Sequence, residues 1–154
     1  MALTQTVGGL NGALAELREI SRGIHPAILS QGGLAPALRT LARRSPVPVE
    51  LTVGVEERLP EQVEVAVYYV VAEALANIVK HARAESASVD LERSDGGLRL
   101  RVRDDGVGGA DPARGTGLIG LSDRVQALGG AVVVESPPAD GTCLEVTLPI
   151  IVTR

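Results

Sequence analysis

Val70 to Ala82 reads VVAEALANIVKHA and Val102 to Gly109 reads VRDDGVGG, and these two stretches decide the fold. Around the first, apolar residues recur at Val63, Val67, Val70, Val71, Ala74, Leu75 and Ile78. That is the three-and-four rhythm of a helix buried along one stripe. At ~100° per residue, Glu73, Asn77 and Lys80 fall within about 60° of one another, at the edge of the stripe. A carboxylate, an amide and an ammonium thus share one flank where core meets solvent. In the second stretch Leu98, Leu100 and Val102 alternate with Arg99, Arg101 and Arg103, as in a half-buried strand. The period carries Asp104 onto the apolar face, where an unpaired carboxylate is costly and calls for a partner or a ligand. Gly106, Gly108 and Gly109 follow, where backbone turns tightly or approaches something closely. The combination points to a nucleotide cleft.

Working outward, Val89 and Leu91 alternate with polar residues as a strand, and Asp95-Gly96-Gly97 is a hairpin turn into the Leu98 to Asp104 strand. A short loop, Ala110 to Arg114, leads to GTGLIGL, where Leu118, Leu121, Val125 and Leu128 make an amphipathic helix closed by Gly129-Gly130. AVVVE and TCLEVTL are two further strands joined by SPPADG, the second with Leu144, Val146 and Leu148 inward. Upstream, Pro60 takes a first helical position with Glu61 and Glu64 in the first turns, and the long helix is expected to run to about Ala82. Val49 to Val53 (VELTV) is a strand, and Gly32 to Arg44 (GGLAPALRTLARR) a short helix with Leu34, Leu38 and Leu41 inward. Leu3, Val7, Leu10, Leu14 and Leu17 are spaced four, three, four, three, and Ile24 continues the series. Such an a/d seam suits a dimerisation helix. Gly23 and Pro26 end it, leaving His25 in a connection, where a histidine is read as structural.

Composition excludes several classes. The 154 residues suit one domain plus a short appendage, with an aliphatic core, since Phe and Trp are absent and Tyr68 and Tyr69 are the only aromatics. A net charge of −4 and no dominant basic stripe argue against direct nucleic-acid binding. The single cysteine, Cys143, allows no internal disulfide and no cysteine-based zinc site, which suits a reducing compartment. Lys80 is the only lysine among 15 basic residues. No apolar run reaches the ~18 residues of a membrane span, so any membrane attachment is expected from segments beyond this chain.

Gly115, Gly117 and Gly120 spell G-x-G-x-x-G, and Glu135 lies twenty residues on. A dinucleotide fingerprint needs a buried strand directly before the first glycine, whereas ADPAR stands there, and no P-loop sequence occurs. Gly115 to Gly117 instead opens a helix whose first amides suit phosphate oxygens.

The ordered set E-x-x-x-N-x-x-K-H-A, V-R-D-D-G-V-G-G, G-T-G-L-I-G-L and G-T-x-L-E-V-T-L-P resembles the ATP-binding domain of two-component sensor histidine kinases. That domain belongs to the Bergerat-fold superfamily shared with gyrase, HSP90 and mismatch-repair ATPases. The resemblance covers about Val49 to Ile150, and ALAELREISRGIHPAIL before it looks like the end of the dimerisation domain of nitrate/nitrite-sensor kinases. It implies an α/β two-layer sandwich, a mixed sheet of about five strands with helices on one face. Residues 1–24 would close the helical dimerisation domain, 25–48 form a linker and short helix, and 49–151 form the catalytic domain. It implies ATP and Mg²⁺, with Asn77 as the metal ligand and Glu73 as the residue that polarises water or acts as base. Lys80 and His81 would face the phosphates. Asp104 would accept the adenine amine, with Thr142 beside it and Gly106 and Gly108 letting backbone pass close to the base. Gly115 and Gly117 would border the phosphate end of the lid. A homodimer in the full-length protein, a response regulator with a helix-turn-helix output domain as partner, and a cytoplasmic location are implied as well.

Three departures stand out. Asp105 occupies a position where many relatives have Asn, and is expected to add negative charge near the cleft. The Ala110 to Arg114 lid is very short. No E-L-H-D phosphoacceptor motif is present, so that histidine is expected on a helix upstream of Leu3. Two other functions are compatible with the sequence: an anti-sigma-factor-type serine kinase, and a non-enzymatic dimerisation or partner-binding module with a degenerate cleft.

Overall fold

The apolar rhythm of Val63 to Ile78 does form the central helix. The computed structural model describes residues 27–108 and 116–150, except the side chains of residues 28, 30, 81, 82 and 116–119. The Leu3 to Ile24 seam, His25, Pro26, the Ala110 to Arg114 loop and Gly115 lie outside that set. In chain order come helix α1 (Ala27–Gly32), helix α2 (Leu34–Arg44), strand β1 (Val49–Val53) and helix α3 (Glu61–Asn77), which continues as one π-helical turn, Ile78–Ala82. Strands β2 (Ala87–Ser94) and β3 (Gly97–Asp104), helix α4 (Thr116–Ala127) and strands β4 (Ala131–Glu135) and β5 (Thr142–Pro149) follow.

The sheet runs β1-β2-β3-β5-β4, with β1 parallel to β2 and every other pair antiparallel. This is the expected mixed five-stranded sheet. Val89, Leu91, Leu98, Leu100, Val102, Leu144, Val146 and Leu148 turn to one face and are buried there with Val63, Val67, Val70, Val71, Ala74 and Leu75 of α3. Each strand alternates because its side chains project to opposite faces. The other face is polar: Arg99 pairs with Glu92 across β2–β3, and Arg101 Nη2 lies 3.1 Å from Glu145 Oε2 across β3–β5. These pairs are about a third or more exposed, so they keep the face solvated and add little stability. Helix α2 covers β1, α3 covers β3, and α4 bridges α3 and β4. The Arg124 guanidinium sits 5.8 Å from the centre of the Tyr69 ring, which fixes α4 against α3 by a cation–π contact.

Three local expectations change. Pro60 is the N-cap, with φ −53° and ψ 140°, and the helix begins at Glu61. The residues after Pro26 form the short helix α1 where a linker is expected, because Leu29 is fully buried and anchors that turn. The long helix stops being an α-helix at Asn77: the Ile78 N–H is shared between the carbonyls of Ala74 and Leu75, and the last turn widens to π geometry.

A clasp at the start of α3 holds the amino-terminal helices in place. Glu64 is 1% exposed. It accepts bonds from Arg58 Nη2 at 3.1 Å, Arg58 Nε at 3.3 Å and the Leu59 N–H at 3.3 Å. Arg58 Nη2 also donates to the Leu29 carbonyl at 3.3 Å, so one guanidinium joins α1 to α3. Removing only the cation would strand a buried carboxylate, whereas removing both charges would not. Arg58→Ala is therefore expected to lower Tm by roughly 5 °C in a thermal melt. Glu64→Leu added to it should recover most of the loss; a double variant that melts lower still would show that the charge pair is not the cause.

Candidate functional site

Asp104 is the last residue of β3, half-buried on the face that carries the helices, with Ala87 of β2 opposite on one side and Thr142 of β5 on the other. Its Oδ1 accepts the Gly106 N–H at 2.8 Å, which closes a tight turn as the chain leaves the sheet. The other carboxylate oxygen has no protein hydrogen bond among the described residues. Thr142 lies beside it, as expected, with its hydroxyl hydrogen-bonded to Ser136 Oγ.

The segment after Asp104 is held by the β4–β5 loop. Gly141 donates its N–H to Gly106 O at 3.0 Å, and Ala139 donates to Val107 O at 2.6 Å. Gly108 has φ +66°, and a Cβ there would lie 1.9 Å from Pro137 O and 3.0 Å from Gly141 O. Gly141 has φ +69°, and its Cβ would lie 2.2 Å from Asp104 O. Two glycines therefore interlock the two loops backbone to backbone. Closeness to a nucleotide base was the expectation for Gly108; its demonstrated contact is with the neighbouring loop. Gly141 was not singled out from the sequence, although it stands in the quoted G-T-x-L motif.

Asp105 makes a clasp that the sequence does not announce. Its Oδ1 accepts the N–H groups of Glu85 at 2.8 Å and Ser86 at 3.1 Å, and its Oδ2 accepts from Ser86 Oγ at 2.9 Å. The charge turns to the start of β2 and is bonded there. This clasp joins the end of β3 to the chain that leads from the π turn into β2. The Ser86 N–H and hydroxyl, followed by the Glu85 N–H, hold the Asp105 carboxyl below its ordinary range. A depressed folded pKa gives stability that is full above the unfolded value of about 4 and is lost as pH falls through the folded pKa. Asp105→Ala should therefore lower Tm at pH 7, with the gap to wild type shrinking below about pH 4. Asp105→Asn keeps an acceptor for the two N–H groups and should fall between them; a pH-independent gap would rule out the carboxylate as its source.

On α3, Glu73 and Asn77 are half-buried and Lys80 is exposed, and none of the three has a hydrogen bond or ion pair among the described residues. Glu73 and Asn77 lie one turn apart on a single flank, as the spacing predicts. Lys80 sits in the π turn, outside the regular α-helical winding on which that spacing rests. The side chain of His81 lies outside the described residues, as do the surroundings of Gly117 in the first turn of α4. Among the described residues no group of three or more His, Cys, Asp or Glu could hold a metal unaided. One amide oxygen with a carboxylate close by suits a hard cation that keeps its waters and leans on substrate phosphates, as Mg²⁺ does. A depression at the outer end of β1, β2 and β3 holds Glu50, Asp104 and Asp105 against a single cation, Arg103, and is too acidic for phosphates.

The sequence and the fold resemble those of known proteins. Residues 62–151 match the family described as histidine kinase-, DNA gyrase B- and HSP90-like ATPase. The chain is 37% identical over 155 residues to the sensor histidine kinase NarS of Mycobacterium tuberculosis, covering 95% of the chain and 36% of the relative. It is 33% identical over 149 residues to the signal transduction histidine-protein kinase/phosphatase DegS of Brevibacillus brevis, covering 92% of the chain and 39% of the relative. It thus spans less than two fifths of the length of these relatives. Among solved structures, the ATP binding domain of PrrB from Mycobacterium tuberculosis superposes with a TM-score of 0.59 at 26% identity, covering 77% of the chain and 92% of that domain. With the family match spanning more than half of its residues, the chain belongs to the histidine kinase-, DNA gyrase B- and HSP90-like ATPase family.

Proposed function

We propose that this chain is the ATP-binding part of a sensor histidine kinase. The observation that carries the reading is Asp104. It is half-buried at the end of β3, where one carboxylate oxygen has no donor among the described residues, and the Asp105 clasp ties the residue after it to the chain that follows the π turn. In this reading Asp104 accepts the adenine amine, and Thr142 borders it. Asn77 would hold Mg²⁺, which would neutralise phosphate charge when bound, and Lys80 and His81 would serve the phosphate end. Gly106 and Gly108 would shape the loop at the base, and Gly115 and Gly117 would border the phosphate end of the lid. Phosphoryl transfer needs positioning and charge neutralisation more than covalent chemistry from the protein. The γ-phosphorus exchanges its bond to the bridging oxygen for one to an imidazole nitrogen, and ADP leaves. Glu73, as base, takes up the proton that the imidazole gives up.

The acceptor histidine belongs to a segment outside these 154 residues. On this reading the sequence of residues 1–24 would belong to the end of a dimerisation domain, 25–48 would be a linker with a short helix, and 49–151 would form the catalytic domain. A cytoplasmic kinase that dimerises and passes its phosphoryl group to a response regulator with a helix-turn-helix output domain completes the proposal. Calorimetric titration is expected to give saturable ATP and ADP binding, with ATP tighter in Mg²⁺ than in EDTA. No acid-labile phosphate should accumulate on the chain itself. An absence of heat at about millimolar nucleotide would count against the cleft, and acid-labile phosphate would place the acceptor inside the chain.

A further inference from the structure

Strand β1 is one edge of the sheet, and among the described residues nothing pairs with its outer side. The bonds Ala87 N–H to Pro48 O, at 2.9 Å, and Gly54 N–H to Leu91 O, at 2.7 Å, bracket the parallel β1–β2 ladder. In such a ladder alternate residues turn both backbone groups to the neighbour, so Glu50 and Thr52 face β2. Val49, Leu51 and Val53 turn their N–H and C=O groups the other way, and none has a partner among the described residues. Beside this edge a groove of about 460 Å³ runs between β1 and α2, with Leu51 and Val53 on one wall and Pro36, Arg39, Thr40 and Arg43 on the other. Its lining holds two guanidinium groups and no carboxylate. Neither arginine has an ion pair among the described residues; Arg43 Nη2 reaches only Thr40 Oγ1, at 3.3 Å. Arg43 lies in the last turn of α2, where a cation suits the helix end, but Arg39 lies outside that turn and is not explained so.

We propose that this groove docks an acidic, extended segment of a protein partner, which adds a further strand alongside the open edge of β1. Backbone pairing with Val49, Leu51 and Val53 would supply the affinity common to strand addition. Side chains of the added strand would alternate between the groove and the outer face. Those entering the groove would lie along Leu51 and Val53 with their tips at Arg39 and Arg43. Glutamate fits both needs, having an aliphatic stem and an anionic end. On a chain of net charge −4 this basic groove selects against non-acidic segments locally. The proposal does not depend on nucleotide binding.

The test uses the full chain and a fluorescein-labelled hexapeptide of alternating glutamate and threonine, followed by fluorescence anisotropy. Saturable binding is expected. It should weaken about tenfold or more in the Arg39→Glu/Arg43→Glu double variant, and by at least about as much when every peptide amide is N-methylated. Those losses together separate strand addition from charge attraction. Equal binding of the N-methylated peptide, equal binding of a lysine–threonine peptide, or no saturation would each overturn the proposal. Sedimentation supplies a further check. A dimer that dissociates in Val53→Pro, which deletes one outward N–H, would assign the edge to a second copy and overturn it too.

Discussion

Asp104→Asn should lose about 100-fold in ATP affinity while its melting temperature stays near that of wild type. The Asn side chain keeps an Oδ1 that can accept the Gly106 N–H, so the turn out of β3 survives. It replaces the second carboxylate oxygen by an amide that donates. Two donors then meet where adenine offers its amine, and a buried polar pair left unmatched costs more than a pair never made. The same amide can donate to the carbonyl of hypoxanthine, so the ratio of ATP to ITP affinity should fall more steeply than either absolute value. Asp104→Ala should lose ATP binding as fully, but with a lower Tm as well, because the Gly106 N–H loses its acceptor. Calorimetry of the three proteins with both nucleotides decides the matter. An Asp104→Asn variant that binds ATP within about threefold of wild type would show that the carboxylate does not read the base.

Asp104 was legible in the sequence because a period of two residues carried it onto the buried face of β3. Glu73 and Asn77 were legible because a period of 3.6 set them on one flank of α3. Those rules describe regular elements, and they fail where the element stops being regular. IVKHA contains no glycine or proline, so nothing in it announces the π turn that holds Lys80. The clasp made by Asp105 was not legible for a different reason. Its partners Glu85 and Ser86 lie 20 and 19 residues away in the chain, and only the β2–β3 register brings them to its carboxylate. Long-range pairing also explains why the sheet order was not read from the chain. Strand β5 lies between β3 and β4, so the last strand inserts beside Asp104 and delivers Thr142 and Gly141 to the site. The helix α1 was hidden by Pro26, since a proline that ends one helix can as well stand before the next.

Gly108→Ala should destabilise the protein by about 3 kcal/mol or more, a fall of roughly 10 °C in Tm. Two costs combine. A non-glycine residue at φ +66° is strained by about 1 kcal/mol. The added Cβ also falls 1.9 Å from Pro137 O, which is backbone in the loop that donates from Ala139 and Gly141. That loop cannot withdraw without breaking its bonds to Val107 and Gly106, so the strain passes to the turn that holds Asp104. Nucleotide affinity should fall with stability even though no nucleotide contact is deleted. Gly96→Ala is the matched control: Gly96 has φ +80° in the β2–β3 turn, with nothing within 4 Å of an added Cβ. It should cost about 1 kcal/mol and leave the site alone. Thermal melts of the two variants therefore separate backbone strain from close approach. Equal losses would reduce Gly108 to an ordinary turn glycine, whereas a loss at Gly108 larger by about 2 kcal/mol would establish that the loop from Ser136 to Gly141 braces the end of β3.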